Sequence, residues 1–437
     1  MRHVLIVSFG YEPLSHVSAT RATHMSQALT ALDWDVSVLT VDWSSPLPDQ
    51  VASVEESLTR ALEEPSPRRI AIDGRLIDSA FDPSTVIVPN TEPPPPRWEW
   101  LRKLQTFHRT LTTGPYAGWA RRAFAAAEKL HRERPIDIVW AIHGDISCHA
   151  IAYWLRGQLH IPWIADFKDS WNKYHTRPGI PVQRFAMARR LRSAEALTET
   201  CASQAANDSR EFGVTSHVIY SGYDDVLMTS ASPKRPAEGF SITYMGSFGN
   251  SHDTRLLQGV FAELSRSGQI ETSGLTLHQY ASASQFPEYL DPVGCGSIVR
   301  SHDRVPRSEA YSIMRGSDVL LLLPMTIEAF QHVGLKEMEY VASGSPVLVL
   351  GEPLEEFGPI MRAAPHVRVV HTAAEGARFI EEECRQFAEG ATSALRGDVN
   401  GPWVRDFTWP AQAARLSEVL EGGRRRQRTS SSESREA

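Results

Sequence analysis

The chain has 437 residues, more than one hydrophobic core usually supports, so we expect two or three domains, with two as the simplest number. Its composition of 42% hydrophobic, 22% charged and 9% aromatic residues is that of a globular protein and argues against extensive disorder. The formal net charge of -7 argues against nucleic-acid binding as the main function, because such proteins present an excess of Lys and Arg to phosphates.

Neither a membrane span nor a secreted, disulfide-bonded protein is indicated. No apolar run approaches the ~20 residues needed to cross a bilayer, and Val4–Ser8 is typical of a buried first strand rather than a signal peptide. The four cysteines are scattered without CxxC pairing or zinc-like spacing. We therefore expect reduced thiols, a cytoplasmic protein and no metal site. The preference for Arg over Lys indicates a GC-rich bacterial source.

The first elements in chain order form a βαβ unit. Val4–Ser8 predicts a strand, Arg21–Leu32 a helix and Val36–Thr40 a second strand, which implies a parallel sheet with helices on its faces. Residues 44–100 carry little regular signal and are expected to be an irregular loop. The basic amphipathic stretch Trp98–Thr113 predicts a solvated helix face, with peripheral contact to anionic lipid as the alternative.

The strand and helix alternation then resumes twice. The predicted elements are a strand at Ile136–Ile142, a helix at Cys148–Leu159, a strand at Pro162–Asp166, a helix at Arg184–Thr198, a strand at Phe240–Gly246, a helix at Arg255–Arg266, strands at Leu275–Gln279 and Val319–Leu323, a helix at Leu335–Ser343 and a strand at Pro346–Leu350. Two α/β halves of similar size predict two Rossmann-like domains facing each other across a cleft.

The expected boundaries follow from composition. We place an N-terminal domain at 1–225, a Ser/Pro/Lys/Arg-rich linker at 226–239, a C-terminal domain at 240–403, a closing helix at 404–421 that could pack back on the N-terminal domain, and a disordered Arg- and Ser-rich tail at 422–437.

The sharpest motif lies in the run from 331 to 347. A Gly-Leu turn at Gly334 and Leu335, opening a helix directly after Val333, points free backbone N–H groups and a positive dipole end toward a diphosphate. Glu339, about one turn further in, is placed to accept hydrogen bonds from two ribose hydroxyls. Lys336 shares its helix face and is placed to approach either the diphosphate or Glu339. We expect these residues to bind a nucleoside diphosphate.

This run resembles the retaining GT-B glycosyltransferases of family four, the group 1 type. Their pattern is Glu-x-Phe-Gly-Leu, three further residues, Glu, and then Ala-x-Gly-x-Pro-Val. It is matched without a gap by Gly334, Leu335, Glu339, Ala342, Gly344, Pro346 and Val347. The resemblance implies an α/β GT-B fold and transfer of a sugar, with retention of configuration, from a nucleotide-diphosphate donor to a small-molecule or glycan acceptor, without a metal or a further cofactor. It also implies that the C-terminal domain binds the nucleotide sugar and the N-terminal domain binds the acceptor. Gln331 stands where the family's first Glu contacts the donor sugar, and we take it as a catalytic candidate.

The phosphate-binding loop departs from the family. Relatives carry an Arg directly after the strand-ending Gly and a Lys several residues on, and both hold the diphosphate. Here Ser247 follows Gly246, and no Lys follows it in the loop. We expect Gly246 and Ser247 to lie at the donor and His252, Arg255 or Lys336 to supply the missing positive charge.

Three weaker matches lie in the first half. His143, in a His-x-x-x-Ser segment after a strand, matches a histidine that in the family lies beside the donor sugar, with a structural histidine as the alternative. The first loop keeps the family's Arg but lacks its Gly-Gly pair, and the segment Asp166–Trp171 is similar to one found in a subset of these enzymes. Acceptor contacts are therefore expected from Ser15, His16, Ser18, Arg21, Asp166, Lys168, Asp169 and Trp171, with structural ion pairing as the alternative for the second segment.

Two other functions are compatible with the same layout. A nucleotide-sugar epimerase would form product from the donor alone. A catalytically inactive nucleotide-sugar-binding protein would bind the donor without turnover. P-loop, zinc-protease and Gly-x-Ser-x-Gly motifs do not occur in the sequence, which removes several other enzyme classes.

Overall fold

The computed structural model describes residues 2–12, 17–41, 85–88, 116–143, 146–168, 180–236, 238–246, 254–281, 286–324 and 334–436. The chain divides into two compact units. Unit 1 comprises Met1–Tyr220 and Gln412–Ala437, and unit 2 comprises Ser221–Ala411.

Unit 1 is built on a parallel sheet that, within the described residues, has the strand order β3-β2-β1-β4-β5-β6-β7. The strands are β1 (Arg2–Ser8), β2 (Trp34–Val41), β3 (Thr85–Val88), β4 (Ile138–His143), β5 (Trp163–Phe167), β6 (Ala196–Glu199) and β7 (Ser216–Val218). The helices are α1 (Val17–Ala31), α2 (Ala117–Glu133), α3 (Ile146–Leu159), α4 (Ile180–Leu191) and α5 (Ala202–Phe212). The core includes Trp119, Trp163 and Phe167. The strands are apolar on both faces, as expected of a parallel sheet covered on both sides.

Unit 2 repeats this plan with the order β10-β9-β8-β11-β12-β13. The strands are β8 (Ser241–Met245), β9 (Thr276–Tyr280), β10 (Val299–His302), β11 (Val319–Leu322), β12 (Val347–Leu350) and β13 (Val367–Val370). The helices are α6 (Asp225–Ser230), α7 (Arg255–Arg266), α8 (Gln269–Ser273), α9 (Phe286–Leu290), α10 (Arg307–Gly316), α11 (Leu335–Ser343), α12 (Gly358–Ala363), α13 (Ala373–Ala388) and α14 (Trp409–Glu436), the last of which continues into unit 1. The core includes Tyr244, Phe261 and Phe286.

Each sheet reverses its strand order at one place. In unit 1, Val4 of β1 pairs with Val36 of β2 on one side and with Ile138 of β4 on the other. In unit 2, β8 likewise lies between β9 and β11. Open α/β sheets bind their ligands outside the carboxyl ends of the strands at such a switch point. In unit 2 this point is the end of β8.

Three predicted elements need correction. The region 44–100, expected to be an irregular loop, contains the edge strand β3. The predicted helix Arg184–Thr198 ends at Leu191, and β6 follows it because Ala196 and Leu197 are buried in register with β5. The expected linker 226–239 contains most of the helix α6. Local periodicity cannot separate such short segments from their neighbours, whereas pairing within a sheet does.

The expected disordered tail is also wrong where the structure describes its side chains. The helix α14 continues to Glu436, and Gly423 is buried. Gly423 packs closely on β4, since a Cβ added to it would lie 3.0 Å from Ile138 Cδ1. Arg426 donates to the Glu195 carbonyl at 2.9 Å, and upstream Trp34 donates to Ser417 Oγ at 2.8 Å. The composition indicated disorder, but small residues and arginines here meet a complementary surface of unit 1.

The Ala-x-Gly-x-Pro-Val part of the motif has a structural role at its glycine. Gly344 ends α11 with φ +71°, and a Cβ there would lie 2.5 Å from the Gly397 carbonyl oxygen. A left-handed residue ends many helices, and glycine is the usual one. Close packing against residues 397–398 also requires glycine at this position, because it leaves no space for a Cβ.

No helix in the described part of the chain is long and apolar enough to cross a membrane.

Candidate functional site

The switch point of unit 2 is marked by Gly246, which follows β8. Its φ of +103° lies in the region that favours glycine, and its N–H donates to the Tyr280 carbonyl at 2.9 Å. The Gly246 carbonyl accepts a hydrogen bond from Gln279 Nε2 at 3.2 Å. Both contacts tie the turn after β8 to the end of β9.

The helix α11 is fastened to β8 by two tyrosines. Lys336 Nζ donates to the Tyr244 hydroxyl at 2.8 Å, and the Met245 N–H donates to the Tyr340 hydroxyl at 2.8 Å. A Cβ on Gly246 would lie 3.7 Å from Lys336 Nζ. An ammonium group therefore lies at the turn from which the family's phosphate-binding Arg is missing.

The first turn of α11 lies at the same end of the sheet. Gly334 is its N-cap and supplies no side-chain cap, so the first N–H groups rely on other partners. The Glu337 carboxylate turns back toward this end, since a Cβ on Gly334 would lie 2.6 Å from Glu337 Oε2. The chain thus places one of its own anions at a helix terminus that favours negative charge.

Glu339 is buried and takes part in a network that the sequence analysis missed. Its Oε1 accepts hydrogen bonds from the Arg307 guanidinium and from the Tyr311 hydroxyl, the latter at 3.0 Å. Tyr311 in turn accepts from Arg307 Nε at 3.3 Å and from the Asp224 N–H at 3.3 Å. Both described hydrogen bonds of the carboxylate are on Oε1, so Oε2 remains to accept from a ligand.

The electrostatics hold this network in one charge state. Burial lowers the pKa of Arg307, but the Glu339 carboxylate outweighs it and the net pKa lies above the ordinary value. Burial, followed by the same carboxylate, raises the pKa of Tyr311. Arg307 and Tyr311 are four residues apart at the start of α10, directly after Pro306. Two polar side chains with this spacing lie on the same helix face, and this was the sequence feature that could have indicated the network.

A stack of three rings lies at the carboxyl ends of β9 and β10. The His302 ring lies 4.4 Å from the Tyr280 ring and 5.2 Å from the His278 ring, and it is nearly parallel to both. His278 Nδ1 and His302 Nε2 are hydrogen-bonded at 2.9 Å. Burial lowers the pKa of His278 to about 4 and also lowers that of His302, so both rings are neutral at pH 7. The sequence analysis did not identify this stack.

In unit 1, His143 ends β4 at the switch point of its own sheet. Its ring lies 5.3 Å from the rings of both His149 and Phe167. His149 is fully buried, its Nε2 is hydrogen-bonded to the Ala141 carbonyl at 3.1 Å, and burial lowers its pKa well below the ordinary value. His143 therefore packs on a neutral imidazole and keeps about a tenth of its surface exposed.

Arg21 and Asp166 do not have the arrangement expected of acceptor contacts. Both are fully buried, and Arg21 Nε and Nη2 donate to the two Asp166 oxygens at 2.9 and 2.7 Å. Arg21 also donates to the carbonyls of Ile219 and Tyr220, and Thr198 donates to Asp166 at 2.7 Å. We therefore correct this part of the prediction: the pair is a structural ion pair that joins α1, β5, β6 and the end of β7.

The structure describes only some of the remaining predicted site residues. Arg255 is exposed at the first position of α7, and the Lys168 carbonyl accepts from Thr200 Oγ1 at 2.9 Å. Ser18 lies in the first turn of α1 with its side chain outside the description. The others lie outside the described residues: Ser15, His16, Asp169, Trp171, Ser247, His252, Gln331 and Val333.

All four cysteines are buried, and each of them is a thiol rather than half of a disulfide. In the described ranges, no group of three or more His, Cys, Asp or Glu side chains is arranged to hold a metal ion.

No family model and no curated protein matches the chain. Solved structures do resemble it. Sucrose-phosphate synthase from Thermosynechococcus elongatus is 14% identical with a TM-score of 0.61, over 96% of this chain and 98% of that one. HepE from Anabaena in complex with UDP-glucose is 11% identical with a TM-score of 0.58, over 96% of this chain and 100% of that one. A protein from Listeria monocytogenes that is described as a putative UDP-N-acetylglucosamine 2-epimerase is 12% identical with a TM-score of 0.51, over 96% of this chain and 95% of that one.

At these identities the likeness establishes the fold. The predicted fold class is confirmed: the chain has the α/β GT-B architecture, with two Rossmann-like units.

Proposed function

We propose that the protein is a glycosyltransferase that binds a nucleotide-diphosphate sugar at the switch point of unit 2 and transfers the sugar to an acceptor. The observation that carries the proposal is the convergence of three groups at the end of β8: the strand-ending Gly246, the Lys336 ammonium and the uncapped first turn of α11. Together they offer backbone N–H groups and a positive charge to a diphosphate.

Glu339 supports the nucleotide part of the proposal. Arg307 and Tyr311 hold Oε1 of its carboxylate, which fixes the side chain and leaves Oε2 for a ribose hydroxyl. A carboxylate fixed in this way binds a diol without losing rotamer entropy at the moment of binding. Structural neighbours that bind UDP-glucose and UDP are consistent with this assignment.

The catalytic and acceptor residues belong to the proposal as well. In a retaining reaction, the N–H groups of α11 and Lys336 would stabilise the departing diphosphate, which is the main electrostatic contribution. Contacts to the transferred sugar are assigned to Gln331 and His143, and further donor contacts to Val333, Ser247, His252 and Arg255. Acceptor contacts are assigned to Ser15, His16, Ser18, Lys168, Asp169 and Trp171.

The test is a thermal-shift screen with UDP, GDP and ADP and their glucose esters, since a ligand that binds only the folded state raises the apparent stability. Glu339→Gln keeps an oxygen for Arg307 and Tyr311 but removes the charge that pairs with Arg307. It should therefore unfold at a lower temperature without ligand, and it should show no further shift when the nucleotide is added. The matched control is Glu263→Gln on α7, which should keep the shift. If no nucleotide shifts the wild-type protein, the proposal fails.

An epimerase is the second candidate, because a structure described as a UDP-N-acetylglucosamine 2-epimerase shares the fold. Incubation with the bound donor alone separates the two reactions. A changed sugar epimer without any acceptor would indicate the epimerase, whereas release of nucleoside diphosphate only with an acceptor supports transfer. Donor binding with neither reaction across a panel of acceptors would indicate a catalytically inactive binding protein.

A further inference from the structure

Unit 2 has a cavity of about 280 Å³ at the amino-terminal ends of its central strands β8 and β11, whereas the proposed donor site lies at the carboxyl end of β8. It is lined by Phe240, which directly precedes β8, and by Asp318, which directly precedes β11. Gly246 lies at the other end of β8, about 20 Å away at ~3.3 Å per residue. The cavity is therefore separate from the switch point.

Two charged groups of the cavity neutralise each other. Arg235 binds Asp318 through two hydrogen bonds, Nη1 to Oδ1 at 2.8 Å and Nη2 to Oδ2 at 2.9 Å. The Ser241 N–H and hydroxyl both donate to the same Oδ2 at 2.9 Å. This pair forms a fixed wall and contributes no net charge for a ligand.

Arg396 forms a second wall. It donates to the carbonyls of Arg315 and Ser317 at 2.9 and 2.7 Å and to Ser345 Oγ at 3.0 Å. Its guanidinium is thus held by neutral oxygens. Arg396 and Glu383, which lies on α13, both line the cavity and have opposite charges. The four charged groups of the lining, Arg235, Asp318, Arg396 and Glu383, therefore have no net charge.

Glu383 is the group that points to a ligand. Only 3% of the residue is exposed, and its Oε1 has no hydrogen-bond partner. Burial raises the pKa of this carboxyl, and a hydrogen bond with Ser393 acts in the opposite direction. A buried polar atom without a partner is destabilising, and a ligand hydroxyl that donates to it would recover that free energy.

The rest of the lining is aromatic and hydroxylated. The Phe240 and Phe387 rings meet edge to face with centroids 5.9 Å apart, and Arg235 lies over Phe387 at 4.8 Å. Thr392 and Ser393 complete the rim. The volume lies just below the ~300–1,000 Å³ of pockets for drug-sized ligands, so a ligand of one ring fits.

From this lining we infer that the cavity is a second ligand site, for a neutral polyhydroxylated ring of monosaccharide size. Balanced charge gives neither an anion nor a cation an advantage. Each ligand hydroxyl both donates and accepts, which suits the unpartnered carboxyl oxygen together with the hydroxyls of the rim. The apolar C–H face of such a ring packs on the phenyl wall. This inference does not depend on the proposed transfer reaction.

The test is saturation-transfer NMR on the full chain with D-glucose, D-galactose, D-mannose and N-acetyl-D-glucosamine, each measured first without UDP and then with saturating UDP. At least one saccharide should bind, and Glu383→Met should weaken its binding at least tenfold. The matched control, Glu382→Met, changes the neighbouring exposed residue and should leave binding intact. Glu383→Gln serves as the second variant if Glu383→Met unfolds at a lower temperature than the wild type.

Each other outcome overturns the inference. It is overturned if none of the four saccharides binds, if binding survives both Glu383 variants, or if only the charged probes ethylammonium and acetate bind. Loss of the saccharide signal on adding UDP would place binding at the switch point and would also overturn it. A protein that binds no nucleotide but binds a saccharide through Glu383 would refute the proposed function alone.

Discussion

The buried pair of Arg21 and Asp166 gives the sharpest stability prediction. Asp166 accepts hydrogen bonds from Arg21 Nε at 2.9 Å, from Arg21 Nη2 at 2.7 Å and from Thr198 Oγ1 at 2.7 Å. Asp166→Ala leaves the guanidinium buried with only the carbonyls of Ile219 and Tyr220 as partners. Breaking a buried ion pair on one side costs about 3–5 kcal/mol, because the remaining charge is uncompensated.

The assay is urea denaturation followed by fluorescence, with the loss expected in the transition of unit 1 and the transition of unit 2 unchanged. The double variant Arg21→Met/Asp166→Ala is the control, and it should lose less than the sum of the two single variants, since it leaves no charge behind. If Asp166→Ala costs less than about 1 kcal/mol, the structural assignment is refuted and both residues return as candidate acceptor contacts.

Three further predictions concern other parts of the chain. Burial raises the pKa of Glu199 above its unfolded value, so the folded state loses stability as pH rises and the carboxyl ionises. Glu199→Gln should therefore have a higher melting temperature than the wild type at pH 8 and the same melting temperature at pH 4. Equal melting temperatures at both pH values would contradict this. Gly344→Ala should cost more than the ~1–2 kcal/mol of a left-handed residue, because its Cβ meets the Gly397 carbonyl; Gly274→Ala, also at positive φ but with open space, is the control in thermal unfolding. Glu337→Gln should bind UDP about two- to fivefold more tightly by calorimetry, since a carboxylate at a helix N-terminus contributes ~0.3–1 kcal/mol and competes with phosphate; unchanged or weaker binding would count against that competition.

The sequence alone was sufficient for the fold and for the start of the helix α11. Continuous apolar runs alternating with amphipathic helices indicated two parallel α/β units, because strands covered on both faces must be apolar throughout. The Gly334–Glu339 run predicted a helix that begins at the Gly-Leu pair, and α11 begins at Leu335. These are local properties, set within one or two turns of chain.

Short segments were the places where local reasoning failed. The strand β6 was read as helix, β3 as loop and Gly422–Arg426 as tail, although each is held by partners far away in sequence. A four-residue strand has no periodicity of its own. Its conformation follows from the neighbouring strand.

Only the tertiary structure decided which side chains meet. It brought Lys336 to Tyr244, 92 residues earlier, and Arg307 to Glu339, 32 residues later. It also buried Arg21 against Asp166 and left Glu383 Oε1 unpartnered in the cavity at the amino-terminal ends of β8 and β11. Sequence specifies the chemical groups and their local spacing, whereas burial and partnership depend on how distant segments pack, and these set the charge state and the role of each group.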